Sequence, residues 1–201
     1  MKQSSERQEI VVLDNMDKFV DGAAVRRVGE ITFDICNQVI DEYVLVPEGK
    51  VCTSILELYN ENAIVAEPAG ALPIAALDAY SERIIGKNVV CIVSGGNNDI
   101  ERMQEIKERS LIYEGMKHYF TINFLNGPEL YGNFWMRFSD RRTILRGSNI
   151  PKKNSRENGP ALVGIELKHK DDYEPLIDRM VKKGVQFAEI NKDPYLFHLL
   201  I

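Results

Sequence analysis

The chain has 201 residues, 44% of them apolar and 27% charged, with a formal net charge of −5. Those totals describe an ordinary globular protein with room for one domain, or for one and a smaller second. They argue against a nucleic-acid partner, because no basic stripe is present to neutralise phosphates. No apolar run reaches the roughly eighteen residues of a membrane span, and the opening MKQSSERQE lacks the signal-peptide pattern. Cys36, Cys52 and Cys91 lie in apolar periodic stretches without metal-ligand spacing. They are expected to be reduced core thiols of a cytoplasmic protein.

Residues 9–13 (EIVVL) read as a short strand, and 14–28 as an irregular segment near a site, with a turn at Asp21-Gly22. From Gly29 a helix is predicted, with Ile31, Ile35, Val39 and Ile40 spaced about four apart. A second strand at 43–46 is closed by Pro47. A helix over 48–60 then places Val51, Ile55 and Leu58 on one face. After a short apolar connection at 63–66, Pro68 sits near a helix start, where its missing N–H costs nothing. The helix predicted over 69–84 is small-faced, through Ala69, Gly70, Ala71, Ala75 and Ala76, and suits close packing on a sheet.

Residues 88–93 are apolar on both faces, as a strand inside a parallel sheet is. That run ends in Ser94-Gly95-Gly96-Asn97. The glycines let the chain turn sharply and approach a ligand. Open α/β sheets bind ligands just beyond the carboxyl ends of their strands, so a cofactor-facing hydroxyl is expected at Ser94. Alternation of helix and strand up to Val93 predicts an α/β layered domain, with a mainly parallel but incomplete sheet.

Residues 99–113 form a charged helix leading out of that domain, with Ile100, Met103, Ile106 and Ile112 as a narrow apolar stripe. Strands are predicted at 118–125 (HYFTINFL), 161–167 (ALVGIEL) and 185–190. An amphipathic helix over 173–182 is ended by Gly184. Residues 195–201 make an apolar tail. Strand, gap, strand, helix, strand is what remains of a βαββαβ module whose first helix and second strand fall in the gap. Residues 127–151 show no usable period, hold the only Trp and carry the pair Arg141-Arg142. His118, His169 and His198 are scattered and make neither a triad nor a metal site.

Two short stretches narrow the reading further. Ala66-Glu67-Pro68-Ala69-Gly70-Ala71 (AEPAGA) is followed about twenty residues later by VSGGN. With residues 14–33 (DNMDKFVDGAAVRRVGEITF) and 96–115 (GNNDIERMQEIKERSLIYEG), they closely resemble the catalytic domain's C-terminal part in pyridoxal-phosphate-dependent threonine dehydratases. The resemblance covers nearly all of residues 10–124 and resumes from about Lys152, while MKQSSERQE stands outside it. It is similar to the biosynthetic form that carries one ACT-like regulatory module.

The resemblance implies an α/β fold. Residues 1–115 would belong to a partial parallel sheet of a fold-type II enzyme, and 116–201 to an incomplete ACT-like α+β (βαββαβ) module disrupted at about 127–151. The implied reaction dehydrates and deaminates threonine to 2-oxobutanoate and ammonia in isoleucine biosynthesis. A lysine tethers pyridoxal phosphate, and the ring acts as electron sink. Ser94 would then hydrogen-bond the pyridine nitrogen, Gly95, Gly96 and Asn97 would shape the pocket floor, and Glu67, Ala69 and Gly70 would line it. A turn-stabilising carboxylate is the other reading of Glu67. The family's tethering lysine and glycine-rich phosphate loop lie ahead of the region matching Met1, and Lys18, Lys50 and Lys87 do not match the lysine motif. No catalytic or metal-ligating residue is therefore assigned, and the chain alone is expected to be inactive. The resemblance also implies regulation by isoleucine or valine and assembly into homo-oligomers. A complementing N-terminal half is a further expected partner.

Between 127 and 151 the family shows a pattern similar to RPGALREF followed by DDITRFEYTKK, which the chain lacks. Residues 144–151 (ILRGSNIP) can be encoded so that a neighbouring frame reads DITRFEYT, and 128–134 (PELYGNF) so that it reads PGALREF. Both recover the pattern with the same offset. A one-base loss near Pro128 compensated near Pro151 is therefore predicted, with 127–155 poorly ordered or lying as a loop.

Overall fold

Val51, Ile55 and Leu58 recur at three- and four-residue spacing. In the computed structural model they bury one face of α3 (Glu48–Asn62). The structure describes residues 1–123, 143–146 and 160–191, in two compact units, Met1–Lys107 and Glu108–Ile201. In the first, α1 (Lys2–Arg7), α2 (Glu30–Val39) and α4 (Pro68–Ala75) accompany α3. Its core joins Phe19, Val51, Cys52, Ile55, Leu58, Ala66, Ala71, Ala75 and Ile106.

Pro68 opens α4 as the spacing predicts, but the helix stops at Ala75 and tightens into a 3-10 turn, Ala76–Tyr80. Pro73 lies inside α4 and offers no N–H to the carbonyl one turn earlier, which loosens the helix there. The small residues Ala71 and Ala75 serve a different partner from the one expected: they pack in the core with α3 rather than on a sheet.

The expected parallel sheet is absent among the described residues of this unit. Its only β pairing there is an isolated antiparallel bridge between Val12 and Arg27. Residues 9–13, 43–46 and 88–93 make no ladder. A strand apolar on both faces needs neighbours on both edges and a layer over each face, and residues 1–107 supply neither. Leu45, Val90 and Ile92 are 76%, 88% and 73% exposed. The predicted stripe of α2 is likewise uncovered at Ile31, Ile35 and Val39, while Phe33 is buried. Among the three free thiols Cys52 is buried, whereas Cys36 and Cys91 are half-buried rather than core residues.

The second unit begins within α5 (Met103–Tyr113). Among the described residues four strands follow: β1 (Lys117–Asn123), β2 (Thr143–Arg146), β3 (Pro160–Leu167) and β4 (Gln186–Glu189). They form one sheet in the order β2-β3-β1-β4, and every neighbouring pair is antiparallel. Register sets Phe120 opposite Val163 and Ile122 opposite Ala161. With Ile165 and Leu167 they bury against Leu176 and Met180 of α6 (Tyr173–Lys182), four residues apart on one helix face.

Gly184 ends α6 with φ 68°. Gly184 N donates to Val181 O at 2.9 Å and Val185 N to Met180 O at 3.0 Å, the paired bonds of a Schellman motif. Strand β2 corrects the expected loop: Thr143 pairs with Leu167 and Leu145 with Ile165. Ladder bonds need only backbone groups, and Thr and Ile favour strands, so a segment without period can still add an edge. The rest of 127–151 and the tail 195–201 lie outside the described residues.

Two outcomes follow from this packing. A Cβ built on Gly70 would stand 2.6 Å from the Gly95 carbonyl oxygen, so Gly70→Ala should cost about 1–3 kcal/mol of stability in urea denaturation. In the second unit Glu108 accepts from both the Lys117 ammonium and the Tyr119 hydroxyl. Burial first, then the Glu108 hydrogen bond, push the Tyr119 phenol above its ordinary value of 10.0. A raised phenol contributes stability that is present below its unfolded value and lost as pH climbs above it. Thermal melts between about pH 9 and 11 should show that alkaline loss in the native chain and less of it in Tyr119→Phe.

Candidate functional site

Helix α4 starts at Glu67, which caps it in an extended conformation. Glu67 holds two elements at once: its N–H donates to Gly95 O at 3.0 Å, and its carbonyl accepts from Ala71 N at 3.1 Å. The AEPAGA turn and the SGGN turn are thereby joined backbone to backbone. Two glycines of the second turn lie close against other parts of the chain. A Cβ on Gly95 would lie 2.5 Å from Glu67 Oε1, and one on Gly96 would lie 2.6 Å from Val65 O.

All the residues singled out in sequence thus come together, though their glycines face the chain itself. Gly70 and Gly95 allow the close approach of helix and turn, and Gly96 allows that of residues 65 and 96. The Glu67 carboxylate lies flat against Gly95 and is half-buried. Ser94 follows the apolar run of 88–93 and is exposed, as is Asn97. A hydroxyl in that position is accessible to a bound ring.

A third segment enters from residues 14–28. The 3-10 turn Asp21–Ala23 packs on α4, where a Cβ on Gly22 would stand 3.0 Å from Ala69 Cβ and 3.9 Å from Glu67 Oε1. Reading the sequence placed this segment near a site and did not identify Gly22 as a contact. Asn98 was also missed. Its Nδ2 points at Met103 Sδ at 3.6 Å, and its Oδ1 is buried without a hydrogen-bond partner among the described residues. Only the run of two asparagines after the glycines hinted at it.

The lysines stand elsewhere. Lys50 pairs with Asp78 at 2.7 Å, and Lys18 and Lys87 are exposed. His118 lies in the second unit, with Nδ1 2.8 Å from Glu189 and Nε2 3.0 Å from Gly115 O, stacked on Tyr173. His169 precedes a 3-10 turn, and His198 lies outside the described residues. A separate apolar cavity of about 300 Å³ includes Val11, Leu13, Val25, Val28 and Leu45 in its lining, and none of the predicted site residues. Among the described residues no helix is long and apolar enough to cross a membrane.

The two joined turns present a neutral exposed hydroxyl, Ser94, and a half-buried carboxylate, Glu67. Residues 1–95, the opening MKQSSERQE included, match the family model described as a pyridoxal-phosphate dependent enzyme. Residues 108–200 match the C-terminal regulatory domain of threonine dehydratase. The chain is 58% identical over 199 residues to the biosynthetic L-threonine dehydratase IlvA of Bacillus subtilis (strain 168), covering 99% of this chain and 47% of that protein. It is 54% identical over 201 residues to the enzyme of the same name from Halalkalibacterium halodurans, covering 100% of this chain and 48% of that one. Among solved structures, the processed form of threonine deaminase isoform 2 from Solanum lycopersicum aligns with a TM-score of 0.50 at 38% identity, over 53% of this chain and 30% of that one. The chain spans about half the length of the curated relatives it matches. It belongs to the pyridoxal-phosphate-dependent threonine dehydratase family and corresponds to the C-terminal part of those enzymes.

Proposed function

We propose that this chain supplies the pyridine-nitrogen side of the cofactor site in a threonine dehydratase, the lyase that converts L-threonine to 2-oxobutanoate and ammonia. The observation that carries the reading is the backbone junction of Glu67 with Gly95, which sets Ser94 and Glu67 on two turns held in contact. Bound pyridoxal phosphate would supply an electron sink there. Ser94, as a neutral hydroxyl, would orient the ring through its nitrogen and leave that nitrogen without a full proton. Glu67, Ala69 and Gly70 would line the pocket, and Gly95, Gly96 and Asn97 would form its floor. Three free thiols fit a cytoplasmic setting.

In this reading residues 1–115 form part of the catalytic domain, with the tethering lysine and phosphate loop supplied by a complementing segment. The apolar residues left exposed at 43–46 and 88–93 support that partner. Strands apolar on both faces are completed by further parallel strands and covering helices. Residues 116–201 would be an ACT-like regulatory module. Its strand order and antiparallel pairing match the ferredoxin-like arrangement of a βαββαβ chain. Calorimetry with isoleucine and valine should give saturable heat for such a module, and no heat with either would remove this part of the reading.

The catalytic part is checked by mixing the chain with a separately expressed polypeptide carrying the family's lysine and phosphate loop. Threonine deamination should appear in the mixture and in neither component alone. Turnover by this chain by itself would overturn the shared-site reading. In the mixture Ser94→Ala should weaken cofactor binding by about 2- to 10-fold, the worth of one hydrogen bond, and an unchanged affinity would remove Ser94 from the site.

A further inference from the structure

The segment 17–23 stands against Glu67, and its own hydrogen bonds do not set how closely. Phe19 N donates to Asp17 Oδ1 at 2.9 Å, Gly22 N to Asp21 Oδ1 at 2.9 Å and Ala23 N to Val20 O at 3.0 Å. Each of these ties the segment to itself. Two of the attachments that reach beyond it hold Phe19. One is the Phe19 ring, 5% exposed and packed in the core with Val51 and Ile55. The other is Arg102, whose Nη2 donates to Phe19 O at 2.8 Å across 83 positions of sequence.

Arg102 makes two further contacts with the same segment. Its Nη1 lies 3.8 Å from Asp21 Oδ2, and its guanidinium carbon lies 5.1 Å from the centre of the Phe19 ring. The Asp21 carboxylate is 72% exposed, so that ion pair contributes little. The bond to the Phe19 carbonyl has a charged donor and is the stronger attachment. Arg102 itself closes the 3-10 turn Ile100–Arg102, which Asp99 opens by accepting from Glu101 N at 3.0 Å. That turn follows directly on the Ser94–Asn98 stretch. One guanidinium therefore links the two glycine-bearing segments that touch Glu67, one through Gly22 and the other through Gly95.

We infer that Arg102 is a positioning residue for the cofactor pocket: it sets how far the Asp21-Gly22 turn stands from Glu67 and from the Ser94-to-Asn97 turn. It thereby sets how closely the pocket closes on a planar ring. The inference rests on the reading that such a ring lies beside Ser94. Arginine is suited to the task because its planar fork donates to a carbonyl and stacks on an aromatic face together. Lysine retains the charge and a donor but not the planar fork.

The test compares Arg102→Met and Arg102→Lys in the 201-residue chain by hydrogen exchange with mass spectrometry. Arg102→Met should speed exchange over residues 17–23 by about tenfold and leave α3 unchanged, with Arg102→Lys intermediate. Mixed with the complementing segment, Arg102→Met should weaken pyridoxal phosphate binding by about threefold or more and leave association of the two polypeptides unaltered. Unchanged exchange at 17–23 would overturn the inference. So would an equal rise through α3, which would mark Arg102 as a general core support. A native mixture that binds no cofactor would instead refute the functional reading, and the exchange data would still report separately on the link through Arg102.

Discussion

Everything proposed for the first unit depends on one backbone contact, the hydrogen bond from Glu67 N to Gly95 O. It brings the start of a helix against a turn that lies almost thirty residues later, at a separation only glycine permits. Gly70 and Gly95 have no Cβ to hold the two apart. A side chain at residue 70 would meet the Gly95 backbone, where nothing can rotate away, whereas one at residue 95 would meet the Glu67 carboxylate. The glycines therefore act first on the packing of the chain, and any benefit to a ligand comes through the pocket that this packing forms.

The two units differ in how far their own residues satisfy them. In the second, one face of an antiparallel sheet is covered by α6, and Phe120, Ile122, Val163, Ile165, Leu176 and Met180 are almost wholly enclosed. An antiparallel sheet can leave one face to solvent, so one layer of helix suffices. The first unit encloses a core around α3 but leaves Leu45, Val90 and Ile92 in solvent. Those residues carry the pattern of interior parallel strands, and parallel strands depend on neighbours that arrive through long crossovers. Such exposed apolar area marks a surface that expects cover.

The polar groups divide in the same manner. Glu108 accepts from Lys117 and Tyr119, and His118 lies between Glu189, Gly115 and Tyr173. Those groups brace β1 within the second unit and bear on no predicted chemistry. Around Glu67 the contacts are mostly backbone, with Ser94 exposed. In the proposed reading, walls fixed by main chain and one exposed hydroxyl would orient a planar cofactor.

Much of this was legible in the residues. The periodicity of Val51, Ile55 and Leu58 marked α3, Pro68 marked the start of α4, and Gly184 marked the end of α6, because each reflects a local rule of helix geometry. The AEPAGA and SGGN motifs marked the family. What only tertiary structure decided was pairing and proximity. Residues 88–93 read as a strand, yet a strand exists only where another backbone completes its ladder. Thr143–Arg146 read as loop, yet β3 offered it an open edge. Gly22 and Arg102 carry no local signal of their partners, because contacts across so many residues depend on how the whole unit packs.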